Sequence, residues 1–128
     1  MANKITPSME DYVKSIYMLE GERGYVRVKD IAQEMSITMP SVSSALKTLK
    51  KKGLVTHQRY DAVNLTDEGR KIALSVIRRH DILLLFLLNI LGLDLTIAEK
   101  DACAMEHAIS PETLERLTYY VERAGKTG

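Results

Sequence analysis

The 128-residue chain has one cysteine and no hydrophobic run long enough to cross a bilayer. A single cysteine cannot close an internal disulfide. Cys103 is therefore a packing group, a reactive thiol or a metal ligand, and a reducing cytoplasm is the expected setting. The longest apolar stretch, Ile82 to Leu93, is interrupted by Asn89 and falls short of the roughly 20 residues that a membrane span needs. The opening residues, MANKITPSMEDY, hold no apolar signal core, so neither secretion nor membrane insertion is expected. There is no internal repeat and no low-complexity tract.

What is present is the make-up of a folded protein. Hydrophobic residues are 45% of the chain and charged residues 27%, too apolar for a disordered polymer. The length suits one domain, or a small domain with an extension. The net charge of +1 hides an uneven distribution. Residues 1–25 carry 3 basic and 4 acidic groups (−1), residues 26–80 carry 11 and 5 (+6), and residues 81–128 carry 4 and 8 (−4). A basic middle next to an acidic tail points to a polyanionic partner for the middle segment.

Hydrophobic spacing predicts the elements. Met9, Tyr12, Val13, Ile16, Tyr17 and Leu19 recur at helical period, predicting a helix from just after Pro7 to about Glu20, stopped by Gly21 and Gly24. Val28, Ile31, Ala32 and Met35 form the stripe of a second helix, Val28 to Met35. A turn, Ser36 to Met39, leads to a third helix from Pro40 to about Lys52, which buries Val42, Ala45, Leu46 and Leu49. Gly53 ends it. Leu54 to Thr56 and Ala62 to Leu65 read as two short strands joined by the polar loop His57 to Asp61. Thr66 caps a long helix that reaches His80 or continues through Ile90, and Gly92 breaks it. Thr96 is expected to cap a helix from Ile97 to Ala108, and Ser110 one from Pro111 to about Arg123.

Two short helices with a tight turn, followed by a hairpin, make a winged helix-turn-helix. That motif lays its second helix in the major groove of DNA. Thr38, Pro40, Ser41, Ser43, Ser44 and Lys47 then lie where side chains meet base edges or phosphates. Arg27, Lys50, Lys51, Lys52 and Arg59 are expected phosphate contacts. A lysine run at a helix end is also ordinary solvated surface that complements the helix dipole.

Cys103, Glu106 and His107 fall at i, i+3 and i+4 of a predicted helix, so thiolate, carboxylate and imidazole share one face. Such a mixed donor set suits Fe²⁺, Zn²⁺ or Co²⁺, and Mn²⁺ if more carboxylates join. The same spacing is equally compatible with a buried cysteine beside a surface Glu-His pair.

TPSMEDYVKSIYMLE, GYVRVKDIA, PSVSSALKTLKKKGLV, LTDEGRKIA, RRHDILLLFL and ACAMEHAIS occur in this order and spacing. Together they resemble the diphtheria toxin repressor family of iron- and manganese-dependent regulators, from about Thr6 to Arg123. The resemblance implies a mainly α fold: an N-terminal winged helix-turn-helix with a two-stranded wing (residues 1–72) and an α-helical metal-binding and dimerisation domain (residues 73–128). It implies a cytoplasmic, homodimeric, DNA-binding transcriptional repressor, probing a palindromic operator and controlled by Fe²⁺ or Mn²⁺, with metal-uptake genes as its targets. Zn²⁺, Co²⁺ and Ni²⁺ are expected to occupy such a site in vitro.

The resemblance further implies that Asp11 in the first helix joins Cys103, Glu106 and His107 as primary ligands. His80 and Glu99 match a second site. Cys103 follows the iron-type pattern and Asp11 the manganese-type one. Two positions depart: Lys14 replaces an acidic manganese-type ligand, and Leu84 an acidic second-site ligand of the iron type. A short, two-part member without an SH3-like domain is expected, and apolar side chains between Ile82 and Leu93, with Leu114 and Leu117, fit a two-fold dimer.

Three other readings remain at the level of sequence. One is a winged-helix regulator that senses an organic ligand or an oxidant through Cys103. Another is a purely structural winged helix within a larger complex. An enzyme with Cys103 as nucleophile and His107 as base is not expected, because no oxyanion or substrate-binding motif accompanies the pair.

Overall fold

The computed structural model describes residues 5–57 and 62–127, the side chains of the latter segment as far as Ala124. The chain divides into two units, Met1–Leu74 and Ser75–Gly128, with the division falling inside one helix.

In the first unit, α1 spans Pro7–Arg23. The Thr6 hydroxyl accepts from the Met9 amide at 3.2 Å, and Pro7 occupies a position whose amide has no helical partner. Gly21 does not stop this helix as expected. A lone glycine costs only about 1 kcal/mol in a helix interior, and termination falls to Gly24, at φ 84°, whose amide donates to the Glu20 carbonyl. Tyr12, Val13, Ile16 and Leu19 are buried on one stripe.

α2 (Val28–Met35) begins where the Asp30 carboxylate accepts from the Arg27 amide at 2.9 Å. It ends at Ser36, which adopts the left-handed conformation (φ 57°) and turns the chain toward α3. α3 (Met39–Lys51) is capped by Thr38 and buries Val42, Leu46 and Leu49, while Ala45 is half-buried.

The wing is antiparallel. β1 (Val55–His57) pairs with β2 (Val63–Leu65) in the register Val55↔Leu65, Thr56↔Asn64 and His57↔Val63. Val26 bridges to Val63, whose amide donates to the Val26 carbonyl at 2.7 Å, a pairing that no local pattern announces. Thr66 binds the wing's base, its hydroxyl donating to the Gly53 carbonyl at 2.6 Å and accepting from the Gly69 amide at 3.1 Å. Gly69 is there because a Cβ would stand 2.1 Å from the Leu54 carbonyl oxygen. The core of this unit is one cluster from Tyr12 to Ala73.

α4 (Asp67–Leu85) continues directly into a π-helical turn, Phe86–Ile90, closed by the Leu91 amide on the Phe86 carbonyl. Leu83 and Leu87, four residues apart and so on one helical face, enter the second unit's core with Ala98 and Ala102, while Leu84, Phe86 and Leu88 pack around it. Leu84, set by the resemblance at a second-site ligand position, is a packing residue. α5 (Leu95–Met105) starts two residues earlier than expected, because Asp94 rather than Thr96 caps it, accepting from the Ile97 amide at 3.0 Å. It also ends earlier: Glu106 is the cap and residues 106–108 form a turn, so Glu106 and His107 are not on the helix proper. α6 (Pro111–Thr127) is capped by Ser110 and runs past the expected end at Arg123. The architecture is mainly α, a winged helix-turn-helix with a two-stranded wing followed by a helical domain. No helix among the described residues is long and apolar enough to cross a membrane.

Candidate metal centre and nucleic-acid interface

Five side chains of metal-ligating type cluster in the second unit, three of them, Glu99, Cys103 and Glu106, around His80 and the fifth, His107, against Glu106. The position of His80 in α4 lies 26 residues from Glu106, too far for spacing to reveal the contact. The His80 Nδ1 is 2.8 Å from Glu106 Oε1, and its Nε2 is 3.1 Å from Glu99 Oε1. Cys103 Sγ lies 3.9 Å from His80 Nδ1 and 4.0 Å from Glu99 Oε1. The other Glu106 oxygen is 3.4 Å from His107 Nε2. Within the second unit, the members of the two ligand sets that the resemblance implied are therefore contiguous, with Glu106 touching a histidine of each.

Burial inverts one expectation. The alternative of a buried cysteine beside a surface Glu-His pair does not hold: Cys103 is exposed, whereas the Glu106 side chain is only 1% exposed and His107 13%. Glu106 continues the buried stripe of Ala98 and Ala102 at four-residue spacing, its amide donating to the Ala102 carbonyl at 3.0 Å, whereas Cys103 lies off that stripe. A carboxylate taken out of water needs compensating partners, and imidazoles supply them here.

The donor chemistry fits a divalent transition metal. Ligand atoms of His80, Cys103 and Glu106 all lie within 4.8 Å of one another. Bonds of about 2.0–2.3 Å place the donors of one ion roughly 3–4.5 Å apart. A thiolate, an imidazole and a carboxylate together suit a borderline ion better than Ca²⁺ or Mg²⁺, which prefer oxygen alone.

Asp11 belongs to the first unit, in α1, where it lines a cleft of about 360 Å³ with Lys14, Ser15, Met18, Glu22 and Glu34. Lys14, which the resemblance sets at a ligand position of manganese-type members, brings an ammonium to this cleft.

The groups expected to meet DNA also lie in the first unit. Pro40, Ser41, Ser43, Ser44, Lys47 and Lys51 are all exposed along α3, opposite Val42, Leu46 and Leu49. Thr38 is committed to capping: its oxygen accepts from the Ser41 amide at 3.2 Å and its hydroxyl donates to Ser41 Oγ at 2.9 Å. Lys50 donates to the His57 carbonyl at 3.2 Å, tying α3 to the wing. The Arg27 guanidinium stacks over the Tyr25 ring, 5.3 Å from its centroid. Arg59 lies outside the described residues.

Asp30 is a buried charged residue of this unit outside the expected site residues. It accepts from the Arg27 amide and pairs with the Arg23 guanidinium at 3.1 Å. The signal was available: an acid three residues after the helix-capping position commonly folds back on the cap.

Two family profiles divide the chain between them. Residues 4–63 match the N-terminal DNA-binding domain of the iron-dependent repressors, and residues 66–126 match their metal-binding and dimerisation domain. The HTH-type transcriptional regulator MntR of Shouchella clausii is 40% identical over 112 residues, which is 88% of this chain and 78% of that protein. A manganese-dependent transcriptional repressor solved with manganese superposes with a TM-score of 0.80 at 32% identity, over 88% of this chain and 52% of that one. The manganese regulator SloR gives 0.79 at 31% identity, over 94% and 55%. ScaR with bound Zn²⁺ gives 0.77 at 31%, over 88% and 53%. The chain thus spans about half the length of these solved repressors. With a DNA-reading half and a metal-binding half matched in order and with donor groups gathered in the second, the chain belongs to the iron-dependent repressor family, the diphtheria toxin repressor group of metal-dependent transcriptional regulators.

Proposed function

We propose that this protein is a homodimeric repressor of metal-uptake genes, activated in the cytoplasm by Fe²⁺ or Mn²⁺. Asp11, Cys103, Glu106 and His107 hold the activating ion, and His80 with Glu99 contributes to a second one. The observation that carries this reading is the buried Glu106 carboxylate set between His80 and His107, with Cys103 beside them. The manganese named for the relatives supports Mn²⁺, and the Cys103 thiolate supports Fe²⁺, since a soft donor favours the later metal.

A bound divalent ion would supply positive charge to the carboxylates of Asp11 and Glu106 and to the Cys103 thiolate that would hold it. The chain's own residues do the rest. Asp11 ties α1 of the DNA-binding unit to the ligands of the second unit, fixing the spacing of two recognition helices in the dimer. Those helices address half-sites of a palindromic operator, centred about 34–36 Å apart or a multiple of that. Exposed Ser41, Ser43, Ser44 and Lys47 face base edges and phosphates, while Arg27, Lys51 and Arg59 contact the backbone.

Allosteric coupling of this kind is usually about 1–3 kcal/mol, or 5–150-fold in affinity. Anaerobic titration of operator candidates with and without Mn²⁺ or Fe²⁺ measures it. Tighter DNA binding with metal, lost in Asp11→Ala, is the expected result; equal affinities overturn the reading. Because thiol and imidazole lose protons on ligation, metal activation weakens on acidification.

A further inference from the structure

The exposed face of α3 is polar and cationic except at its start. Met39, the first residue of α3, is 50% exposed, and Pro40 after it is exposed as well. The core does not need Met39, since Ile37 packs inward before it and Val42 is fully buried after it. The Thr38 hydroxyl just before it is already engaged, accepting from the Ser41 amide and donating to Ser41 Oγ. A flexible thioether projects from the end of the helix beside a threonine that is turned to capping. One turn on, the exposed groups become Ser43, Ser44 and Lys47.

Residues at the N-terminus of a recognition helix reach base edges. Among the groups on those edges in the major groove, the C5-methyl of thymine is the apolar one. Methionine is unbranched and polarisable, so it adapts to such a methyl without a fixed geometry. We propose that Met39 is a specificity-determining residue that packs on the C5-methyl of a thymine in each operator half-site, an inference that rests on the DNA-binding reading above.

The test removes one methyl group. Duplexes recovered by the intact protein from a random-sequence library with Mn²⁺ are resynthesised with deoxyuridine in place of thymine, one symmetric position at a time. The wild-type protein is expected to lose about fourfold in affinity per half-site at one position, the scale of a single buried carbon. Met39→Ala should bind both forms equally at that position, Met39→Leu should regain most of the discrimination, and both should keep the melting temperature and the metal dependence of the wild type. Indifference of the wild type to every substitution overturns the proposal. So does an unchanged thymine preference in Met39→Ala, which would move the contact to Pro40 or elsewhere. A library that yields no metal-dependent enrichment overturns the repressor reading and this proposal with it, whereas enrichment without methyl discrimination overturns only the role of Met39.

Discussion

Residues 5–74 bury their apolar side chains in one cluster running from Tyr12 to Ala73, and their large exposed hydrophobics are Met18, Tyr25, Met39 and Leu74. Residues 75–124 bury a core of Leu83, Leu87, Ala98 and Ala102 and expose Leu85, Leu91, Leu95, Ile97, Met105, Tyr119 and Tyr120. Among the described residues, each half also buries one carboxylate. Asp30 is matched by the Arg23 guanidinium at the end of α1 and by the Arg27 amide at the start of its own helix. Glu106 is held among His80 and His107 near Cys103, all of them groups that also bind metal. The first half is organised as a self-contained reading head, and the second leaves apolar surface and metal-binding chemistry for other components to complete.

Matched truncations give the largest effects and can break that contrast. Leu49 and Leu83 are both fully enclosed, so Leu49→Ala and Leu83→Ala should each cost about 2–5 kcal/mol in chemical denaturation. Sedimentation should separate them: Leu83→Ala weakens self-association, because its core backs the exposed apolar residues, and Leu49→Ala leaves it unchanged. Equal loosening of the dimer by both would remove the distinction. Next in size is the effect of metal. An ion at 100 times its dissociation constant stabilises the state that binds it by about 2.7 kcal/mol. Adding Mn²⁺ should raise the melting temperature of the wild type, chelation should reverse this, and Glu106→Gln should abolish the response. A full response in Glu106→Gln would exclude that carboxylate from the site.

The smallest effect belongs to the first half. Burial pushes the Tyr12 phenol above its ordinary value of 10.0. At alkaline pH the unfolded chain therefore loses this proton before the folded one does, so stability falls as pH rises past 10.0. Tyr12→Phe should flatten that part of the alkaline melting curve without changing the neutral one. A Tyr12→Phe curve parallel to the wild type throughout would show that the phenol titrates alike in both states.

Helix α2 was readable to the residue, because Val28, Ile31, Ala32 and Met35 leave a single stripe and the flanking chain stops on both sides. The wing was readable as a hairpin, yet its bridge to Val26 was not, since nothing at either position advertises a partner so distant in the chain. The ligand residues were legible as types and spacings. Their arrangement was not: the helix expected to carry Cys103, Glu106 and His107 on one face ends at Met105.

Local order set the cap at Thr6, the proline starts of three helices, the serine- and lysine-lined face of α3 and the choice of donor atoms, because each depends on residues within one or two turns. Tertiary packing decided that Glu106 is buried while Cys103 is not, that His80 stands between two carboxylates, and that Gly69 must lack a side chain against Leu54. Those outcomes depend on which distant segments come to share a volume, and a linear pattern encodes that only through the fold as a whole.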